Sequence, residues 1–320
     1  MSGFTILLTS AGRRVSLLNC FRDACRQLDV PVRMLAADLK PDLSAACAVA
    51  DTAFTLPPAT DPDYAHAVEA ICARDGVDLV IPTIDTELLA IAEAAPRLAT
   101  AGVKVNISTP SVIKIARDKL ATSLALAAAG VATPQGAAFG SPEIGTPALP
   151  FPLIAKPRGG SSSIGIRLIE TGAELASLPE AGDYLLQERL EGREYTVNVY
   201  VDAHGVVKAA VPHLRIETRA GEVSKGRTER HPAMTEIARK LVGALPGARG
   251  ALCFQCFVTD TGPVVFEINA RFGGGYPLAH AAGARFAQWL VEEALDRPST
   301  ASDAWQDGLL MLRHDSEIFL

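Results

Sequence analysis

The chain has 320 residues, enough for two or three domains of ordinary size or for one α/β unit with an insert. With 48% hydrophobic and 21% charged residues it is not a mainly disordered chain, and no apolar run reaches the ~18 residues of a membrane-spanning helix. The formal charge of −6 argues against a nucleic-acid partner held by bulk electrostatics.

Phe4 to Thr9 is a short apolar run with β-branched residues, suited to a buried parallel strand. It begins without a basic segment or an A-x-A site, so no secretory signal is expected. After the turn Ser10-Ala11-Gly12-Arg13, the spacing of Leu17, Leu18, Phe21, Cys25 and Leu28 predicts a helix. Val32 to Ala37 reads as a second strand ending at Asp38. Tyr64, Val68, Ile71 and Cys72 mark a helix, Leu79 to Pro82 a strand, Leu88 to Ala95 a helix and Val103 to Ile107 a further strand. Such β-α repetition predicts a doubly wound parallel sheet.

Ser108-Thr109-Pro110 is a helix-start signal, and a helix is expected from about Asp118 to Ala129, stopping at Gly130. Ser141 to Pro152 reads as a surface connection. Beyond it strands cluster: Phe151 to Lys156, Tyr184 to Glu188, Glu194 to Val201 and Val206 to Ile216. His231 to Leu245 reads as a helix. Ala251 to Val258 and Val264 to Asn269 flank the hairpin signal Asp260-Thr261-Gly262, and a late helix closes over Trp289 to Leu295. The pattern is an α/β domain followed by an α+β domain.

Lys156-Pro157-Arg158-Gly159-Gly160-Ser161-Ser162-Ser163-Ile164-Gly165 delivers a lysine from a strand straight into a Gly/Ser loop. Glycines let successive N–H groups converge on phosphate oxygens, and serine hydroxyls and an ammonium add donors. No Gly-Lys-Ser/Thr follows, so this is not a P-loop. On the loop alone, a phosphate cradle and a solvated flexible hairpin both remain open.

In Glu267-Ile268-Asn269-Ala270-Arg271, residues two apart share a strand face, which puts Glu267, Asn269 and Arg271 together and Ile268 in a core. Pairing centred on Thr261 sets Gln255 opposite Glu267. Three oxygen-bearing side chains on one surface suit Mg²⁺, which also takes waters and substrate phosphates; the alternative is an exposed polar face with a Glu–Arg pair. The opposite face, with Cys256, Val258, Phe266 and Ile268, reads as apolar. Gln187 to Val197 is a strand, a turn at Gly192 and a second strand, where a carboxylate could meet ribose hydroxyls and main chain could read a base edge. A solvated charged turn is the simpler reading of that segment by itself.

Cys253 and Cys256 have C-x-x-C spacing without a second pair, and three residues apart on a strand they face opposite ways, which makes them packing cysteines. The six cysteines read as reduced thiols of a cytoplasmic protein. The six histidines lack metal-ligand spacing.

These segments and their order, from Thr9-Ser10-Ala11-Gly12-Arg13-Arg14 to about Leu295, resemble the ATP-grasp superfamily. Within it they are most similar to a single synthetase unit of the carbamoyl phosphate synthetase large chain and its stand-alone relatives. The resemblance implies a Rossmann-like pre-ATP-grasp domain over residues 1–110. An ATP-grasp small lobe with a glycine-rich lid would follow over 111–188, and a large lobe over 189–320. It implies ATP as substrate, with Mg²⁺ or Mn²⁺ held by Gln255, Glu267 and Asn269. Lys119, Lys156 and the lid residues Ser161, Ser162, Ser163 and Gly165 would meet phosphate. Gln187, Glu188 and Leu190 would read adenine and Glu194 the ribose, while Arg271 with Lys156 would serve the transferring group. The implied activity is ligation of a small-molecule carboxylate to an amine or thiol through an acyl-phosphate, with no nucleic-acid or membrane partner and with a homodimer as the common assembly. One unit alone leaves no room for complete carbamoyl phosphate synthesis. Arg215, Arg219 or Lys225 would meet phosphate or substrate carboxylate, and Tyr276, Pro277 and His280 would line the second-substrate pocket; a solvated loop is the alternative for the first three.

Two other readings stand beside the ligase. An NAD-dependent oxidoreductase needs G-x-G-x-x-G after the first strand, where this chain has only Gly12 before Arg13 and Arg14. A nucleotide-binding module without catalysis would not need the Glu267, Asn269 and Arg271 set.

Overall fold

A computed structural model describes residues 3–140, 149–160, 165–178 and 183–320. The first sheet is parallel and contains β1 (Phe4–Thr9), β2 (Val32–Asp38), β3 (Thr52–Thr55), β4 (Leu79–Pro82) and β5 (Lys104–Val105), in the order β3-β2-β1-β4-β5. All six residues of β1 are buried, as expected of a strand covered on both faces. Ile6 and Leu8 pack with Leu17, Leu18 and Phe21 of α1 (Val15–Gln27). Leu7 faces the other layer, built by α3 (Tyr64–Asp75) and α4 (Leu88–Thr100), with the short α2 (Ala45–Val49) beside β2. Right-handed crossovers place helices on both faces of such a sheet.

Two expectations differ from what is observed here. The helix predicted to stop at Ala95 continues through Pro96 to Thr100, because Ala94 and Leu98 are both buried against the sheet. The strand predicted to reach Ile107 ends at Val105, because the Asn106 side chain leaves the sheet to accept the Ala251 N–H at 3.0 Å.

α5 (Pro110–Arg117) and α6 (Lys119–Ala128) follow, the latter capped by Asp118, whose carboxylate accepts from the N–H groups of Leu120 and Ala121. The second sheet contains β6 (Gly136–Ala138), β7 (Leu153–Pro157), β8 (Arg167–Ile169) and β9 (Tyr184–Glu188), in the order β6-β9-β7-β8, with α7 (Gly172–Ala176) at its side. The third sheet contains β10 (Arg193–Val201), β11 (Val207–Arg219), β12 (Glu222–Thr228), β13 (Gly250–Thr259), β14 (Gly262–Asn269) and β15 (Leu310–Leu312), in the order β14-β13-β10-β11-β12-β15. Its strands pair antiparallel, and α5, α6 and α8 (Pro232–Ala244) share an apolar cluster with one of its faces. From the other face Tyr200, Val211 and Ala251 join α9 (Tyr276–Ala281) and α10 (Phe286–Ala294), which also meet α1. The parallel sheet followed by antiparallel sheets is the α/β plus α+β class read from the sequence.

Candidate active site

The order of the first sheet reverses at β1, which lies between β2 and β4, and an open α/β sheet offers its crevice at the carboxyl ends of the strands where this happens. The segment after β1 (Ser10 to Arg14) and that after β4 (Thr83 to Asp85) line a cleft of about 790 Å³. The other walls come from β7, the end of β9, the start of β10, the β11–β12 turn and the β13–β14 hairpin. The turn after β1 is tightly held. The Ala11 N–H donates to Ala37 O and the Gly12 N–H to Asp38 Oδ2 at 2.7 Å, while Ser10 and Gly12 both take φ of 47°. A non-glycine residue in that region is a strained backbone, of the kind that persists where surrounding bonds over-determine it.

The polar strand face is where the sequence put it. Gln255 pairs with Glu267, Cys253 pairs with Asn269, and all four line the cleft. The route to this register differs from the expected one. The hairpin turns at Asp260-Thr261, with Thr259 opposite Gly262, and a bulge between Gln255 and Cys256 then shifts the pairing by one residue. The same bulge turns Phe266 into the cleft, correcting its placement on the apolar face. Its ring meets that of Phe257 at 5.3 Å with a tilt of 37° and lies 5.5 Å from the Lys156 ammonium. Cys256 lies in the core while Cys253 faces the cleft, and all six cysteines are free and buried.

Lys156, 5% exposed, reaches across from β7 so that its Nζ donates to Phe266 O at 3.4 Å, one residue before Glu267. Burial pushes its pKa down to about 8, against the pull of Glu267. Lys119, at the start of α6, donates to Gly160 O at 3.1 Å; burial lowers its pKa while Glu267 and Asp85 oppose the change. The Glu267 carboxyl is raised by burial and held back by Lys119 and Lys156. Among the described residues no hydrogen bond engages that carboxylate. A half-buried carboxylate between two ammonium groups, with amide side chains at its flank, is an arrangement built to receive charge.

Arg271 donates to Asn269 Oδ1 at 3.0 Å and to Asp85 Oδ2 at 2.7 Å. Burial is the largest influence and works against its charge, but Asp85, Cys253 and Glu267 together outweigh it and hold the guanidinium pKa up. Asp85 is thus the partner of Arg271, where the sequence suggested a Glu–Arg pair. The Thr83–Glu87 turn that carries Asp85 is fixed by the fully buried Glu87. Its Oε1 accepts the N–H groups of Thr83 and Ile84 at 2.6 and 3.0 Å, and its Oε2 accepts the Ser10 hydroxyl at 3.0 Å and the Tyr64 hydroxyl.

Gln187, Glu188, Leu190 and Glu194 line the cleft beside Ile154 and Phe257. Glu188 also accepts the Gln135 N–H at 2.8 Å, and Glu194 lies 2.9 Å from Arg215, which moderates the upward push of burial on its carboxyl. Ser161, Ser162 and Ser163 fall outside the described residues. Gly165, with φ of 79°, is exposed and is not part of the cleft wall, although Gly160 is.

Of the acceptor-side candidates, Arg215 lines the cleft, whereas Arg219 pairs with Asp315 and Lys225 with Glu217, both at exposed positions. Tyr276, Pro277 and His280 do not line the cleft. Tyr276 is fully buried against Phe272 and Phe286, and His280 faces Asp23 of α1 at 3.2 Å, because α9 is spent on joining α1 to the third sheet. Sequence reasoning missed Arg13, Arg14, Asp85, Glu222 and Arg313. The first three directly follow strands of a parallel sheet, which is a usable signal; Glu222 and Arg313 carry none.

Among the described residues there is no cluster of three His, Cys, Asp or Glu side chains able to hold a metal unaided. One carboxylate with two amide oxygens, completed by phosphates and water, instead matches the ligand demand of Mg²⁺. No helix of the described residues is long and apolar enough to cross a membrane.

Comparison with known proteins fits this geometry. A family model described as a PylC-like N-terminal domain matches residues 6–106. A 3-methyl-D-ornithine–L-lysine ligase of Methanosarcina mazei is 30% identical over 168 residues, 52% of this chain and 41% of that protein. A D-alanine–D-alanine ligase of Syntrophotalea carbinolica is 32% identical over 173 residues, 48% of this chain and 56% of that protein. The matches span between about a third and just over half of the length of the curated relatives. A biotin carboxylase from Campylobacter jejuni superimposes with a TM-score of 0.74 at 16% identity, over 97% of this chain and 74% of the other. An L-amino acid ligase from Bacillus licheniformis gives 0.69 at 18% identity, over 94% and 76%. With residues 116–275, half of its length, matching the model described as an ATP-grasp domain, the chain belongs to the ATP-grasp family.

Proposed function

We propose that the protein is an ATP-dependent ligase that joins a small-molecule carboxylate to an amine, with a thiol as the alternative nucleophile. The observation that carries this reading is the convergence of Lys119, Lys156, Arg271, Gln255, Glu267 and Asn269 on one cleft. In this reading residues 1–110 supply the floor of the acceptor side, and residues 111–188 and 189–320 close on the nucleotide. The base lies along Gln187 to Leu190, and Glu194 turns from Arg215 to the ribose. The substrate carboxylate attacks the γ-phosphate, ADP leaves, and the amine then displaces phosphate from the acyl-phosphate. Mg²⁺ bound by Gln255, Glu267 and Asn269 would supply neutralisation of phosphate charge. Lys119 and Lys156 hold the phosphates, Arg271 steadies the group in flight, and the walls exclude water. A stand-alone carbamoyl phosphate synthetase-like unit is the finer form of this reading.

The test is ADP release with Mg²⁺ over a panel of carboxylates paired with amines. Turnover that depends on both partners and falls at least about 100-fold in Glu267→Ala is expected, the size of loss typical for a group serving the reacting charge. Nucleotide binding without turnover across the panel would instead favour a binding module.

A further inference from the structure

Away from the lysines, the cleft ends in a cluster that the proposed phosphoryl transfer does not use. Arg13 and Arg14 follow β1, Glu222 opens β12, and Arg313 follows β15. Glu222 Oε2 lies 3.2 Å from Arg13 and 2.9 Å from Arg313, and its Oε1 lies 3.9 Å from Arg14. Arg313 also donates to Gly274 O at 2.5 Å. A Cβ at Gly274 would stand 2.6 Å from the Glu222 carboxyl carbon, so only glycine leaves the carboxylate its place.

Three guanidinium groups therefore share one carboxylate, and Asp85 is committed to Arg271. Arg14 is the least satisfied. Its side chain is 16% exposed, its hydrogen bond to Thr83 O is 3.4 Å long, and its approach to Glu222 is loose. A buried guanidinium without a close counter-charge is costly, and the cost is recovered when an anion arrives. Arg13, Arg14 and Glu222 line the same cleft as the nucleotide end, with Arg313 holding Glu222 from outside its wall, so a bound anion would share the cavity with the phosphates.

We propose that Arg13 and Arg14, which line the cleft, form an anion subsite for the acceptor end of the substrate, a carboxylate or a phosphate group, and that Glu222, held also by Arg313, occupies these arginines until the anion displaces it. The inference rests on the ligase reading for what fills the rest of the cleft. It reverses the sign expected of a simple structural clamp. Removing the Glu222 charge frees the arginines and strengthens anion binding, whereas loss of a clamp would weaken it.

The experiment uses the full chain at low ionic strength, titrated by calorimetry with succinate and, separately, with inorganic phosphate. Glu222→Gln should bind at least one probe about threefold or more tightly than the unaltered chain, and Arg14→Met about threefold or more weakly, as expected for one charge at short range. Preference for succinate names a carboxylate and preference for phosphate a phosphorylated group. Equal, weaker or undetectable binding by folded Glu222→Gln, or unchanged binding by Arg14→Met, overturns the proposal. If Glu222→Gln does not fold, Arg14→Met and Arg13→Met carry the test, and unchanged affinity in both overturns it. MgADP is titrated into the same preparations. Its failure to bind would count against the ligase reading and leave the anion result standing.

Discussion

Lys156 concentrates the chemistry of the cleft in one titratable group. Burial lowers its pKa to about 8 against the opposing pull of Glu267, so near pH 8 about half of the molecules lack that proton. Phosphates placed beside the ammonium favour its charged form. Binding of MgADP at pH 8 should therefore take up about half a proton, and almost none near pH 6.5. Calorimetry in buffers of different ionisation enthalpy reads the uptake directly, and Lys156→Met should abolish it; an uptake unchanged in that variant would place the titrating group elsewhere. The stability term has a definite sign. The folded state disfavours the lysine charge, so this group lowers stability below about pH 8, and the penalty is relieved as pH rises from about 8 to the unfolded value near 10.5. Lys156, Glu267 and Asn269 were legible in the sequence because a strand has a period of two and a lysine feeding a glycine loop is a local pattern. The place of Asp85 after a strand was a usable signal, but its pairing was not legible, since its partner Arg271 is 186 residues away in sequence.

The turn Thr83–Glu87 is the element through which the parallel sheet enters the site. Glu87 accepts two main-chain N–H groups at one oxygen and two hydroxyls at the other; alanine would remove all four bonds, whereas an amide keeps one accepting oxygen and sets an NH₂ where two donors now point. Glu87→Gln should cost about 1–3 kcal/mol in chemical denaturation, within the range for an unsatisfied buried polar group. It should also lower the maximal turnover rate by letting Asp85 drift from Arg271. Asp85→Asn should reduce turnover with a much smaller change in stability; an Asp85→Asn enzyme with full turnover would show that the pair is not needed to place the guanidinium. The elements themselves read well from the sequence wherever apolar runs exceeded five residues. The three-residue strands β6 and β8 lack enough alternation to register, and the bulge at Gln255 and Cys256 leaves no compositional mark. The correct pairing of Gln255 with Glu267 was reached because an error of one residue in the turn cancelled the unseen bulge.

At the scale of the molecule, the apolar clusters predict where cooperativity breaks. One cluster runs from α1 and the first sheet through α9 and α10 to the third sheet, so these two sheets share a core and should open together. The second sheet has its own small cluster, Leu153, Ala155, Ile169, Leu178 and Leu186, and meets the rest through polar contacts such as that of Lys156 across the cleft and that of Arg158 with Asp118 at the start of α6. A cluster of that size buries too little surface to match the stability of the shared core. Amides of β7 and β9 should therefore exchange with solvent at least about tenfold faster than those of the central strands β10 and β13, a gap of about 1.4 kcal/mol in opening free energy. Adding MgADP should narrow that gap, because the nucleotide would tie Lys156 on β7 and Gln187 on β9 to the β13–β14 hairpin across the cleft, and binding stabilises the closed form in proportion to its occupancy. Lys156→Met should keep the gap open at the same MgADP concentration. Equal protection of all three sheets without nucleotide would mean that the polar contacts across the cleft already couple them as tightly as the shared core does.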